Sequence, residues 1–278
     1  WGDSKRRYAA VDRRRSGEGE VGKRMEQLEG RIGVEAALRA RQRKIHLLVL
    51  RNSLHAQTTA PLMELAAAQQ VPVKLVSREE LDAMAHGHTH GGVLALCSPK
   101  PHLTHDQLFR HSHSAGFPLF LLLLEGVDDS QNLGFVLRSA EACGVDAVLL
   151  KKHLWDFDGA AVSRASSGAF ERLPICVFDE AQAVLPRLAA LGIRIYGCIA
   201  NAQRTMYQVD LVESVLIALG GEKRGLSAAV RDHCHRFIKI PMHSAIGSLS
   251  LSHASAILMA EVMRQRLTRI PPTGTEPA

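Results

Sequence analysis

From Pro118 onward, short apolar runs alternate with helix-length stretches, and this pattern constrains the fold more than any other feature. Residues 119–124, 147–150, 175–178, 193–200 and 215–219 read as strands, and residues 132–143, 160–166 and 180–191 as helices. A strand that is apolar at every position is buried on both faces, and the intervening helices supply the cover. The expected fold class is therefore α/β with a parallel sheet. Ligands in such sheets bind outside the carboxyl ends of the strands.

Three stretches share one make-up there: an apolar strand, a tight polar loop, then a helix. The first, after residue 124, holds Asn132 and, six positions on, Arg138 followed by Ser139-Ala140. The second reads Leu219-Gly220-Gly221-Glu222-Lys223-Arg224-Gly225-Leu226-Ser227. The third begins at a strand end, Ile240-Pro241-Met242, where the proline removes a donor and stops the ladder. It continues through Ser248-Leu249-Ser250 into an apolar helix that reaches about Arg266 and carries Ala254, Ile257, Leu258, Glu261, Val262 and Leu267 at near-helical spacing. Gly220-Gly221 lets backbone approach a ligand closely. Ile240, Met242 and Leu249 are suited to an adenine slot. The glycine loop has neither the spacing of a dinucleotide fingerprint nor that of a P-loop.

In this order, the three motifs resemble those of the SpoU (TrmH-like) branch of the SPOUT RNA methyltransferases. The resemblance implies an AdoMet-dependent ribose 2′-O-methyltransferase whose catalytic domain carries a C-terminal trefoil knot and pairs as a homodimer. It implies S-adenosyl-L-methionine held by backbone near Gly220, Ile240 and Leu249 with Met242 beside them, and no metal. It places Arg138 on the ribose hydroxyl, as a base or as a phosphate clamp. A pKa above ~12 makes arginine a poor base, and polarising a hydroxyl through a bound phosphate is chemically easier. Asn132 is expected to fix Arg138 or the ribose, Glu222 to orient Arg138 or a group of a neighbouring chain, and Ser248 to bond the nucleotide. Two positions depart from the family pattern: Ser250 stands where an asparagine is usual, and Ser244 where a glycine is. A hydroxyl offers fewer hydrogen bonds than an amide, so Ser250 either does less well or is helped by water. These departures favour the rival reading, a non-catalytic RNA-binding or ribosome-assembly protein on the same fold.

Residues 28–98 form a separate compact α/β pattern. It includes a helix at 33–41, strands at 45–50, 73–76 and 93–97, and a short helix at 78–84 that Ser77 caps with Glu80 at the capping-box position. This region resembles the small RNA-binding domain that precedes the catalytic domain in many family members. Residues 99–117, rich in proline and histidine, read as a linker. The catalytic domain is then 118–270, with a tail at 271–278. The layout looks closest to the branch acting on 23S ribosomal RNA; a tRNA enzyme is the alternative within the class.

Residues 1–27 carry Lys5-Arg6-Arg7, Arg13-Arg14-Arg15 and Lys23-Arg24 with no apolar period, and read as a disordered basic arm. The arm either contacts RNA phosphates or is a solvated tail. A net charge of +6 favours a polyanionic partner, and 5% aromatic content argues against base stacking on an aromatic sheet. The histidine run at His86, His88 and His90 has no adjacent cysteine or carboxylate to complete a tetrahedral metal site and reads as a polar loop. Five scattered cysteines without a C-x-x-C pair point to a reducing, cytoplasmic setting. No apolar run reaches the ~20 residues of a membrane span.

Overall fold

The computed structural model describes residues 25–87, 90–114, 116–243 and 248–269. Most of the basic arm (1–24), His88, Ser244 and the tail from 270 lie outside the described residues.

Two sheets organise the chain. The smaller holds β1 (Glu26–Glu29), β2 (Ile45–Arg51), β3 (Val73–Val76) and β4 (Val93–Cys97) in the order β1-β4-β2-β3. Only β2 and β3 pair in parallel. Helices α1 (Arg31–Ala40) and α2 (Ala56–Ala67) close one face over Leu38, Leu48, Leu50 and Leu62. The other face is closed by α3 (Arg78–Met84) through Leu81. The Ser77–Glu80 capping box forms at its start.

The larger sheet is parallel throughout, in the order β7-β6-β5-β10-β8-β11-β9. Its strands are β5 (Phe120–Leu124), β6 (Ala147–Lys151), β7 (Ile175–Phe178), β8 (Arg194–Cys198), β9 (Arg204–Thr205), β10 (Val215–Leu219) and β11 (Arg236–Lys239). Strand alternation sends Phe120, Leu122 and Leu124 to one core and Leu121 and Leu123 to the other. The first core lies under α5 (Ser130–Ala142) and a long C-terminal helix, Leu251–Arg269. From β5 the chain moves outward through β6 and β7, then crosses to build β8–β11 on the other side. The direction of travel reverses between β5 and β10, where a doubly wound sheet opens a crevice.

Three expectations need correction. The stretch read as a linker holds a helix, α4 (His105–Ser114), whose Leu108 and Phe109 are buried in the second core. Two apolar residues among histidines give no periodic stripe, yet a Thr104–Gln107 capping box marks the start: Gln107 N donates to Thr104 Oγ1 (3.2 Å) and Thr104 N to Gln107 Oε1 (2.8 Å). The helix expected at 180–191 is split into a 3₁₀ turn, Ala181–Ala183, and a helix, Leu185–Ala190, because Pro186 cannot continue a preceding helical ladder. Residues 26 and 27, assigned to the arm, belong to β1, an edge strand with one apolar residue.

After β6 come three short helices: α6 (Lys152–Trp155), α7 (Gly159–Ala165) and α8 (Ala169–Arg172). The last packs on α1, the main joint between the sheets. Gly168, at φ +80°, makes that approach possible: a Cβ there would lie 2.5 Å from the Ala36 methyl. In order, the remaining helices are α9 (Leu185–Ala190), α10 (Ala228–Arg231) and α11 (Leu251–Arg269). Leu258, Met259 and Val262 of α11 face the core, whereas Ile257 and Leu267 of the expected apolar stripe face outward.

Candidate active site

The loops after β8, β10 and β11 meet at the carboxyl end of the sheet. The turn after β10 folds back on itself: Gly225 N donates to Gly221 O at 2.8 Å, and Gly225 sits at φ +61°. Gly220 is pressed against this return, so a Cβ on it would lie 1.9 Å from the Gly225 carbonyl carbon. No side chain fits there. The folded turn walls a cavity of about 320 Å³, which Gly220, Glu222, Ile240, Met242, Ser248 and Leu249 line together. All six were singled out from the sequence. Ile199, Arg224 and Arg231, also on its wall, were not. Ile199 follows a strand end, so the carboxyl-end rule marks its position.

Glu222 has a clear local role. Its Oε1 accepts a hydrogen bond from Leu251 N at 2.8 Å, placing a carboxylate at the N-terminus of α11. It thereby ties the second motif to the third. Within the chain it makes no bond to Arg138.

Asn132, Arg138 and Ser250 are not on the cavity wall. Asn132 lies in the first turn of α5, where Asp129 caps the helix. Asn132 N donates to Asp129 Oδ1 at 2.8 Å and its Nδ2 to Asp129 Oδ2 at 3.2 Å. Arg138 is exposed further along α5 and pairs with no described residue. Ser250 precedes α11 and its carbonyl accepts from Ala254 N at 2.9 Å. Its hydroxyl bonds His253 Nδ1 at 2.5 Å and Ser252 Oγ at 3.3 Å. His253 had no motif to signal it.

A second cavity, of about 490 Å³, lies across the glycine turn and shares Gly221, Glu222, Arg224 and Gly225 with the first. Lys151 and His153, at and just past the end of β6, stand on its wall. Glu125 there accepts from Ser227 N at 2.7 Å and from its hydroxyl at 2.5 Å, bracing the end of β5 against the turn. The thiols near the site are quiet: burial pushes Cys198 and Cys234 up to about 11. Among the described residues no group of three or more histidine, cysteine or acidic side chains is placed to hold a metal ion.

The family model described as "SpoU rRNA Methylase family" matches residues 119–260, which include all three motifs and both cavities. The chain belongs to the SpoU rRNA methylase family. A second model, "RNA 2'-O ribose methyltransferase substrate binding", matches residues 27–103, the span of the smaller sheet. A protein of Pseudomonas aeruginosa named 23S rRNA (guanosine-2'-O-)-methyltransferase RlmB is 35% identical over 242 residues, covering 87% of this chain and 97% of that one. The Vibrio vulnificus protein of the same name is 37% identical over 197 residues, covering 71% and 79%. Among solved structures, the SpoU methyltransferase AviRb from Streptomyces viridochromogenes superposes with a TM-score of 0.72 at 22% identity, over 88% of this chain and 90% of that one. The SpoU fold thus accounts for the parallel seven-stranded sheet and for the small domain ahead of it.

Proposed function

We propose that this chain is an AdoMet-dependent RNA ribose 2′-O-methyltransferase, acting on ribosomal RNA as a cytoplasmic homodimer. The observation that carries the reading is the shared cavity: the second and third motifs, separate in sequence, build one pocket at the carboxyl ends of β8, β10 and β11. The pocket suits the cofactor. Ile240, Met242 and Leu249 give an apolar slot for an adenine, and the bare backbone at Gly220 provides peptide groups in place of a side chain. When bound, AdoMet supplies an electrophilic methyl group on a sulfonium.

The chain's own residues must then align a ribose hydroxyl and ease the loss of its proton. Arg138 is assigned to the phosphate beside that ribose, where its planar guanidinium polarises the hydroxyl rather than removing the proton itself. Arg138 lies outside its own chain's cavity and projects from an α5 surface that also exposes Phe135. The neighbouring α11 exposes Ile257 and Met263. Pairing of two chains through these helices would cover the apolar residues and bring each Arg138 to its partner's pocket. A target in 23S rRNA, and guanosine as the nucleotide, follow the names of the relatives. No helix among the described residues is long and apolar enough to cross a membrane.

The test is methyl transfer from isotopically labelled AdoMet to 23S rRNA, followed by nuclease digestion and mass spectrometry. A ribose-methylated nucleoside is expected. Label on a base, or none on RNA, would sink the assignment.

A further inference from the structure

A concave surface of about 470 Å³ opens beside the cofactor pocket, around the start of β9, the end of α10 and the start of β11. Three arginines stand on it: Arg204, Arg231 and Arg236. All three are exposed, and none of their guanidinium groups makes an ion pair or a hydrogen bond with a described residue. Three guanidinium groups sharing one cleft with no carboxylate partner repel one another, which focuses a positive potential there. One of them, Arg231, is nonetheless held in place. The Arg231 guanidinium lies 5.3 Å from the centre of the Phe237 ring, in a cation–π contact. The ring in turn occupies space that Gly197 leaves open: a Cβ on Gly197 would stand 2.8 Å from Phe237 Cδ1. Asn201 and Gln203 add amide donors to the same wall.

Arg231 lines both this cleft and the cofactor pocket. An anion seated among the three arginines would therefore sit next to the donor site. We propose that Arg204, Arg231 and Arg236 form a phosphate cleft that holds the RNA backbone beside the cofactor pocket, fixing the strand that carries the target ribose. The ligand class is a phosphodiester, because planar guanidinium forks bind phosphate oxygens in pairs and read no base. This rests on the reading of the chain as an RNA methyltransferase, and it adds a contact that none of the three motifs contains.

The experiment uses the full chain, a short fluorescein-labelled RNA of mixed sequence, and a salt titration. Arg231 is left intact because it also walls the cofactor pocket. In the double variant Arg204→Ala/Arg236→Ala, RNA affinity should fall about tenfold, as expected for loss of two solvent-exposed ion pairs. The slope of log affinity against log salt should flatten by about 1.4, at roughly 0.7 per phosphate on a single strand. AdoMet affinity should not change. The double variant Arg204→Lys/Arg236→Lys should keep the wild-type slope and lose only part of the affinity. RNA binding by the alanine variant as tight as wild type overturns the proposal. So does a lysine variant whose slope flattens as much as that of the alanine variant, since the loss is then not one of charge. Wild-type protein that binds RNA but transfers no methyl group defeats the enzymatic reading and leaves the cleft standing. Wild-type protein that methylates RNA, alongside an alanine variant of unchanged affinity, defeats the cleft alone.

Discussion

Arg43 and Glu171 meet across the joint between the two sheets, with Nε 2.9 Å from Oε2 and Nη2 donating to Oε1 at 3.1 Å, each side chain 1% exposed. Glu26 accepts from Arg43 Nη1 at 2.8 Å, and Lys100 donates to Gln42 Oε1 and to the Glu171 carbonyl. Burial raises the Glu171 pKa, against the pull of Arg43. Burial would lower that of Arg43, but Glu171 and its neighbours raise it overall. The smaller sheet and α8 are thus held by a desolvated charge cluster as well as by apolar packing.

Removing one partner should cost far more than removing both. Arg43→Met leaves the Glu171 carboxyl buried without its guanidinium partner, and should lower stability by about 3–5 kcal/mol in urea unfolding. The double variant Arg43→Met/Glu171→Met should recover much of that loss. Equal losses in the single and double variants would show that the two groups are not coupled.

Burial, helped by Arg43 and opposed by Glu171, lowers the Lys100 pKa from 10.5 to about 8. Between these values the unfolded chain binds more protons at this site, so the lysine makes stability rise with pH and penalises the fold below about 8. Cys97, raised by burial from 9.0 to about 11, acts in the opposite sense: its contribution falls as pH climbs through that range. Subtracting the stability-versus-pH curve of Lys100→Met from that of wild type should isolate a rise between pH 8 and 10.5. A flat difference would mean that the buried ammonium is not titrating.

Arg138→Ala should abolish methyl transfer while AdoMet affinity, read by calorimetry, changes little, because the side chain is exposed, unpaired and off the cofactor pocket. Arg138→Lys should recover little, since lysine keeps the charge and loses the planar fork. Wild-type turnover by Arg138→Ala on native rRNA would remove Arg138 from the mechanism.

Glu222→Ala should weaken AdoMet binding and lower stability by about 1 kcal/mol, the usual loss for a missing helix cap. Its carboxylate holds Leu251 N, and Ser248 and Leu249 of the pocket wall immediately precede that helix start. Loss of stability with unchanged AdoMet affinity would limit Glu222 to capping.

Ser250→Asn should leave stability within about 0.5 kcal/mol of wild type, because asparagine opens a helix as well as serine does. It also removes the hydroxyl that bonds His253 and puts in its place the amide that the motif resemblance leads one to expect. Methyl transfer at or above the wild-type rate is expected in a single-turnover assay. A lower rate would mean that the Ser250–His253 pair belongs to a reshaped pocket.

The continuous apolar strands, such as Phe120–Leu124 and Val215–Leu219, were plain in the sequence because burial on both faces leaves no polar position to blur them. Six of the residues lining the pocket were also legible, because they fall in the second and third motifs that carry the family resemblance. What escaped was held by distant contacts. Helix α4 has no apolar stripe and depends on the core beneath it. Arg204, Arg231 and Arg236 come from three segments that only the sheet order brings together. The bond from Glu222 to Leu251 spans 29 positions, and no local pattern announces it.

The burial of Leu108 and Phe109 bears on how the protein can be divided. Leu103 already pairs with the edge of the large sheet, its amide donating to Ile175 O at 2.7 Å. A protease attacking between the sheets would find exposed residues at Pro101 and His102, ahead of Leu103, and again at Gly116, Phe117 and Pro118, with α4 packed between the two. A truncated catalytic half that begins at Pro118 would lose Leu108 and Phe109 from its own core and bare an apolar trough between β7 and α9. The cut that spares the core therefore falls between the buried Lys100 and Leu103, and a catalytic half has to carry α4 with it.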